Sequence, residues 1–489
     1  MRINRVALFG FIIALSGGLL SFCWNVIFNF VLSKTIRLTP GSSLTKQWKD
    51  PEVPLYTDIY LFNWTNPEQL YDENFVPNVV ELGPYSFRDV FSRVNVKWNK
   101  NKTVSFRRRR FWYFDPTRSA RPLSDNITLI NPVALSAAHV SRFNNYLLQL
   151  SVSGALKVTG QKLWITGTAG EVLFDGYDDP LVKIASKLVK NEGVTYDKFG
   201  FFYMKNGSSV TEGYFNVNTG EDDFTKIGIM RYWNYMNRTD FYQADCGMIN
   251  GSDGSFYPPG NPKEKPIEMY TVDFCRTLKF HYVDDREVEG IPSYRYVGTK
   301  MLLDSGELDP ENWCFCGGEC LPPGVLNISS CARGAPVFIS YPHFLHADPY
   351  YLKQVRGLDP SEEKHQFHII VEPTTGFPLE VTGRFQFNFM LQPNENIGMY
   401  SKVPRVLFPV LWCEEIARIT PEFASGLKLL LAVPTIGLCL SLALVVIGLI
   451  LLAVAFMRIK RNRRDQNGQQ MYSMVNTKPL EDQRRHPLT

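Results

Sequence analysis

Two unbroken apolar runs bracket a long region of alternating pattern. The first, VALFGFIIALSGGLLSFCWNVIF, covers Val6 to Phe28 and holds no charged residue and one amide, Asn25. The second, from Leu429 to Met457, holds no charged residue at all. About 20 apolar residues suffice for a helix to cross a bilayer, so both runs predict transmembrane helices. The first is longer than the ~7–15-residue apolar core of a signal peptide, and no small-x-small cleavage site precedes the folded region, so it reads as retained. Between the spans short alternating runs recur, among them YTDIYLFNW (56–64), FHIIVEP (367–373) and LEVTGRFQFNFML (379–391). These predict strands, and in the last Val381, Phe385, Phe387 and Phe389 share one parity, which predicts one buried face.

Helical signals cluster in one place. Asn131-Pro132 pairs an N-cap with proline at the first helical position, ahead of ALSAAHVSRFNNYLLQL, where Val140, Phe143, Leu147 and Leu150 form an apolar stripe at helical spacing. Asp179-Pro180 repeats the start signal, and Gly193 supplies a stop. Residues 131–192 therefore predict a helical insertion in a β-rich domain. Thr420-Pro421 opens a further helix that can run on into the second span. No repeat at a fixed period is present, and the polar tail after the second span predicts disorder.

Charge sets the topology. Arg2 and Arg5 precede the first span, and Arg458, Lys460, Arg461, Arg463 and Arg464 follow the second. Basic outer flanks place both termini in the cytosol. The organisation is then a short N-terminus (1–5), a span (6–28), a glycosylated ectodomain (29–428), a second span (429–457) and a cytosolic tail (458–489). Eight Lys/Arg against three Asp/Glu after Met457 account for the net charge of +4, and the central region is slightly acidic. No basic face calls for nucleic acid. All seven N-x-S/T sequons, at Asn63, Asn101, Asn126, Asn206, Asn237, Asn250 and Asn327, fall between the spans, as glycosylation on the far side of the membrane requires.

The compartment decides how to read NWCFCGGEC (312–320). Cys23 and Cys439 sit inside the spans, while Cys246, Cys275, Cys314, Cys316, Cys320, Cys331 and Cys413 face an oxidising space where thiols pair. Cys314 and Cys316 are one residue apart with no second matching pair, which is not zinc spacing, so no metal is expected. Six cysteines permit 15 pairings, and Cys413 is left as a buried free thiol or a route to a covalent dimer. No nucleophile elbow, phosphate loop or HExxH run occurs; of the two H-x-x-H pairs, His343/His346 and His365/His368, the second sits on or beside a strand where i and i+3 point to opposite faces, and neither an enzyme nor a cofactor is expected. Arg107 to Arg110 in SFRRRRFWYF read as an edge strand with alternate arginines solvated, with a processing site or an anion patch as alternatives. Tyr472-Ser-Met-Val475 matches the Tyr-x-x-apolar pattern read by clathrin adaptors.

LFNWTNPE (61–68), ELGPYSFR (81–88), FDPTRS (114–119), GIPSYRYVG (290–298), CFC (314–316), YPHFLHADP (341–349) and EPTTGFPLEV (372–381) resemble the class B scavenger receptor family, with wording closest to its invertebrate members. That family includes the fatty acid translocase, the lysosomal integral membrane proteins and the sensory neuron membrane proteins. The resemblance implies a mainly β, antiparallel barrel-like ectodomain with an apical helical bundle and a lipid tunnel, anchored by two transmembrane helices. It implies the pairing Cys246–Cys314, Cys275–Cys331 and Cys316–Cys320. It places Lys157 and Lys162 in the stretch where the fatty acid translocase meets anionic ligand, though the surrounding sequence departs from the family. No cytosolic cysteine flanks either span for palmitoylation, and no acidic-dileucine signal ends the tail. The expected function is binding and uptake of lipids (fatty acids, sterols or carotenoids) or lipoprotein particles at the plasma membrane, with traffic through endosomes or lysosomes. The alternatives are a phagocytic receptor for apoptotic cells or microbes and a lysosomal protein-sorting receptor.

Overall fold

The structure is a computed structural model that describes residues 5–188 and 196–475. It divides into two compact units, one of residues 33–424 and one formed by both ends of the chain.

The larger unit is built on strands β1 (Leu55–Trp64), β2 (Val79–Trp98), β3 (Thr103–Phe114), β4 (Asn126–Ile130), β5 (Trp164–Thr168), β6 (Tyr177–Asp178), β7 (Lys198–Phe199), β8 (Phe215–Asn218) and β9 (Met230–Trp233). There follow β10 (Ile267–Thr271), β11 (Arg276–Val288), β12 (Ile291–Val297), β13 (Val325–Asn327), β14 (Val337–Ser340), β15 (His368–Val371), β16 (Pro378–Leu391) and β17 (Val406–Arg418). The main sheet runs β10-β11-β12-β15-β16-β17-β1-β2-β3-β8-β9, with β14 and then β13 branching from β16. All its strand pairs are antiparallel. The outer strands are stitched together by one segment. Met230 N–H donates to Gly251 O at 2.8 Å, and Ser252 N–H donates to Glu268 O at 2.8 Å. Ser252 thus bridges Ile229 and Met269 and nearly closes the sheet into a barrel. Gly251 holds φ +79° here, and a Cβ would lie 2.7 Å from the Glu268 carbonyl carbon, so only glycine lets the seam approach this closely.

The register defines two ends. Leu55 faces Ala417 at one, and Leu61 faces Leu411 toward the other. The helices α3 (Pro132–Ser141) and α4 (Tyr146–Val158) sit at the Trp64 end. They are tied there by Gln392 to His139 (3.1 Å), Asn396 to Gln149 (2.9 Å) and Gly398 N–H to Ser153 Oγ (3.2 Å). Toward this end the side chains pack into one large apolar cluster that includes Leu61, Phe62, Trp64, Leu129, Leu135 and Phe408.

The start signals act as read. Asn131 Oδ1 accepts from Val133 and Ala134 N–H at 3.1 Å, and Asp179 Oδ1 accepts from Leu181 N–H at 2.7 Å ahead of a helix over Pro180–Leu188. Gly193 lies outside the described residues. Three expectations are corrected. The insertion at 131–192 is not all helical, because Trp164–Thr168 forms β5 and pairs with β4. The stripe Val140-Phe143-Leu147-Leu150 does not lie on one helix. The helix stops at Ser141, and Asn145 caps a new one by accepting from Leu148 N–H at 3.0 Å, which leaves Phe143 (73% exposed) and Leu147 (71% exposed) bare. On β16 the parity is reversed: Thr382, Gln386 and Asn388 are buried, while Val381, Phe385 and Phe387 are half-buried. A bulge between Phe387 and Asn388 then buries Phe389 too. The polar positions tolerate burial because they are paired. Gln386 accepts from His343 N–H at 2.7 Å and donates to Asn388 at 2.7 Å, and Asn388 donates to Ser340 Oγ at 3.0 Å.

In the smaller unit, α1 (Arg5–Thr35) packs on the second anchor helix, Pro421–Val475. Both are long and apolar enough to cross a membrane. Contact is backbone to backbone: a Cβ on Gly17 would meet Ser441 O at 2.7 Å, and one on Gly448 would meet Ala14 N at 2.4 Å. The tail, expected to be disordered, is helical as far as Val475. Its Arg, Lys, Gln and Met are good helix formers and no proline intervenes. Arg2 and residues 476–489 lie outside the described residues.

Candidate functional site

Where β1 and β16 begin and β17 ends, the barrel holds a cavity of about 540 Å³. Its walls come from α2 (Ser43–Lys49), from β1, β2, β3, β10, β16 and β17, and from the seam at 253–257. Thr420 and Phe423 also line it, a few residues before the chain enters its second apolar run. The walls are largely apolar and aromatic, with Leu44, Phe256, Tyr257, Phe377, Val381, Ile416 and Phe423 among them. Its volume falls within the ~300–1,000 Å³ of small-molecule sites.

One flank is charged, and strand alternation puts it there. On β3, Phe106, Arg108, Arg110 and Trp112 share the face that carries the cavity flank. Arg108 Nη2 lies 3.4 Å from Asp253 Oδ2, and Arg110 Nη2 lies 2.9 Å from Glu415 and bonds Asp89 as well. Beside them Arg93 is buried, 3.5 Å from Asp253, with its guanidinium 4.7 Å from the Trp48 ring centre. Burial lowers the Arg93 pKa to about 10, so it stays charged at neutral pH. Burial opposes ionisation of Asp253, yet Arg93 and Arg108 outweigh it and hold that carboxyl below its usual range. At Asp89 and Glu212 burial wins and raises the pKa against the neighbouring arginines. The arginine run is thus half as expected: Arg109 is exposed, but Arg108 and Arg110 turn inward into ion pairs.

A second polar node lies outside the cavity lining. His343 Nε2 is 2.6 Å from Glu81, which also accepts from Trp412 Nε1 at 2.7 Å. The His343 ring stacks on His365 at 4.5 Å, and His343 Nδ1 accepts from Asp359 N–H at 2.9 Å. These bonds hold neutral His343 as the Nε2–H tautomer. The two H-x-x-H pairs do not act as pairs; one member of each meets the other across the fold. No sequence spacing announces such a contact, whereas the inward parity of Arg108 and Arg110 is visible in the strand pattern.

The structure places the remaining residues as follows. Cys246 bonds Cys314, Cys275 bonds Cys331, and Cys316 closes on Cys320, all far along the chain from the cavity strands β1 to β3. Cys413 is unpaired, and burial, then Glu415 and Asp273, push its thiol upward, so it holds its proton and is a poor nucleophile. Lys157 lies in the last turn of α4 and Lys162 follows the helix; both are exposed and neither lines the cavity. Of the sequon asparagines, Asn101, Asn126, Asn206, Asn237 and Asn250 are exposed, while Asn63 and Asn327 are half-buried. Both amide atoms of Asn206 bond the Trp112 backbone, at 3.1 and 3.2 Å. Tyr472 is exposed on the tail helix, of which Val475 is the last residue.

A disulfide-braced barrel flanked in the chain by two helices long and apolar enough to cross a membrane is the build of a membrane-anchored receptor. The chain belongs to the CD36 family, whose sequence pattern matches residues 8–459. It is similar to Protein peste of Drosophila melanogaster, 38% identical over 448 residues, covering 91% of this chain and 80% of that protein. It is 34% identical to scavenger receptor class B member 1 of Sus scrofa over 390 residues, 80% of this chain and 75% of that protein. With human lysosome membrane protein 2 it shares 32% over 401 residues, 81% and 82% of the two chains. Members of this family are receptors, and the chain is a class B scavenger receptor rather than an enzyme.

Proposed function

We propose that the protein is a lipid receptor that takes an amphipathic molecule into the barrel cavity and passes it to the bilayer beside the second span. The observation that carries this reading is the position of the cavity: an apolar-walled space at the end of the barrel where Phe423 leads into the anchor helix. A long apolar chain leaves water only if protein shields it, and the lining residues Thr420 and Phe423 are followed within a few residues of chain by the second span. Fatty acids, sterols, carotenoids and lipoprotein-borne lipid are the candidate cargoes. Both termini lie in the cytosol in this reading, with the sequons on the other side. Residence is at the plasma membrane with passage through endosomes.

The bare apolar surface of α4 favours a second role for the same molecule, capture of a particle or protein partner. Tyr146, Leu147 and Val158 on α4, and Phe143 in the turn before it, are all more than half exposed, and exposed apolar side chains grouped together mark contact sites. This surface serves the phagocytic and protein-sorting alternatives equally.

Ala417→Trp tests the first reading. Ala417 lines the cavity on β17, and an indole there fills it. Cells displaying the variant at normal surface level should take up fluorescent lipid several-fold more slowly than wild type. Unchanged uptake at equal surface level contradicts a role for the cavity.

A further inference from the structure

The arginine run has an outer half that the cavity does not use. Arg108 and Arg110 turn inward, so strand alternation sends Arg107 and Arg109 out of the barrel. Strand β2 adds a cation toward each end of the same face: Arg88 stands opposite Tyr113, and Lys97 stands opposite Ser105. In a regular strand Lys97, an even number of residues from the inward Arg93, would share its parity. The bulge between Val94 and Lys97, with Asn95 at φ +54°, turns it outward instead. Arg88, Lys97 and Arg109 are exposed and Arg107 is half-buried. From the level of Ser105 to that of Tyr113 the row covers roughly 27 Å of strand. Arg93, Arg108, Arg110 and Arg118 each meet a carboxylate. Among the described residues, Arg88, Lys97, Arg107 and Arg109 meet none. The neighbouring strands bring Tyr56 opposite Arg88 and Asn216 opposite Ser105, so neither supplies an anion. Aromatic faces lie between the cations. The Arg88 guanidinium is 5.7 Å from the Tyr113 ring centre, and that of Arg107 is 5.9 Å from the Tyr214 ring centre. Tyr113 is 51% exposed, and Tyr235, stacked on Tyr214 at 4.9 Å, is 76% exposed.

We infer that this row is a docking strip for a sulfated polysaccharide, an extended polyanion of the glycosaminoglycan class. Charge complementarity sets the sign of the partner, because like charges held on one face repel and no internal carboxylate relieves them. The guanidinium fork matches the paired oxygens of a sulfate. Cations spaced along a strand suit a chain with anions along its length rather than one anionic head group. The exposed tyrosine rings offer flat apolar faces to sugar rings. Three disulfides mark this unit as one that folds in an oxidising space, where sulfated glycans are the polymeric anions at hand. The run is a poor processing site, since it lies within the β2–β3 ladder and Gly207 N–H donates to Arg110 O at 2.7 Å on its other side. A protease would have to open the sheet to reach it. None of the four cations lines the cavity, so the strip stands whether or not lipid enters there.

The test measures binding of the purified full-length protein, with its native glycans and in a non-ionic detergent, to immobilised heparin at about 0.15 M salt. The wild-type protein is expected to bind and to be released as the salt rises. Arg107→Ser/Arg109→Ser should bind about tenfold more weakly, with the melting temperature unchanged. Lys279→Ser/Lys353→Ser removes the same charge from exposed positions off these strands and should bind as the wild type does. Equal weakening in the two double variants overturns the strip and leaves net charge as the cause. Failure of the wild-type protein to bind heparin, or equal binding of desulfated heparin, overturns the sulfated polysaccharide as partner. Vesicles carrying phosphatidylserine form a second arm. Capture of these through Arg107 and Arg109 without heparin binding overturns the inference in favour of a membrane surface.

Discussion

Two histidines make the fold acid-sensitive. His139 accepts from Gln392, and His365 accepts from Ser361 N–H at 3.0 Å, so each must stay neutral to keep its bond. Burial lowers both pKa values to about 4, with Arg142 adding to the shift at His139 and His343 at His365. In the unfolded chain both titrate near ~6.5. Stability is therefore full above that pH and falls as the pH drops toward 4, because the unfolded state takes up protons that the folded state refuses. The loss at pH 5 is on the order of 1–2 kcal/mol each. The melting temperature should drop by a few degrees between pH 7.5 and 5, and His139→Gln/His365→Gln should remove most of the difference. An equal drop in the double variant assigns the sensitivity elsewhere. Glu81 and Glu380, whose carboxyls are held low beside histidines, contribute only below that window. At this scale the capping residues were legible, since Asn131, Asp179 and Thr420 act on their own neighbours. The His343–His365–Glu81 node was not, because it unites segments distant in sequence.

Among elements, the paired anchors depend on small residues. Gly10 and Gly17 of α1 are buried against the second helix, which presents Gly448 and Ser441 there. Gly448→Leu should push the helices apart and lower the yield of mature protein at the cell surface severalfold, whereas Gly18→Leu, which meets nothing within 4 Å, should not. Equal effects of the two contradict the packing. The tail helix carries Tyr472 exposed, so we expect Tyr472→Ala to slow internalisation of surface-labelled protein, and an unchanged rate removes the sorting role. Strands with local alternation, β1 and β16, were placed from the sequence to within a residue or two. The face that β16 buries was not, because its parity rule assumes polar residues meet water. Gln386 and Asn388 instead meet His343 and Ser340, and the bulge resets the alternation. The α3–α4 break was missed for a related reason. Asn145 competes for backbone bonds inside what reads as one periodic run, and tertiary contacts through Gln392 and Asn396 hold the corner.

For the whole molecule, the apolar spans, the β-rich centre and the family motifs carried the architecture, since each is written in consecutive residues. The cavity is not written that way. It exists because β10 and β9 are joined through Ser252 and because strands far apart in the chain contribute one wall each. Lys157 and Lys162, carried over from the resemblance, are exposed and are absent from the cavity. The central claim is that lipid enters this space. The most direct measurement is photo-crosslinking of a diazirine-bearing lipid to the full-length protein on living cells, followed by mapping of labelled peptides. The account predicts label within 253–257, 269–273, 377–381 and 415–423, and loss of that label in Ala417→Trp. Label confined to the two spans and to α4, unchanged by Ala417→Trp, would contradict it and leave the protein a surface-binding receptor with a closed barrel.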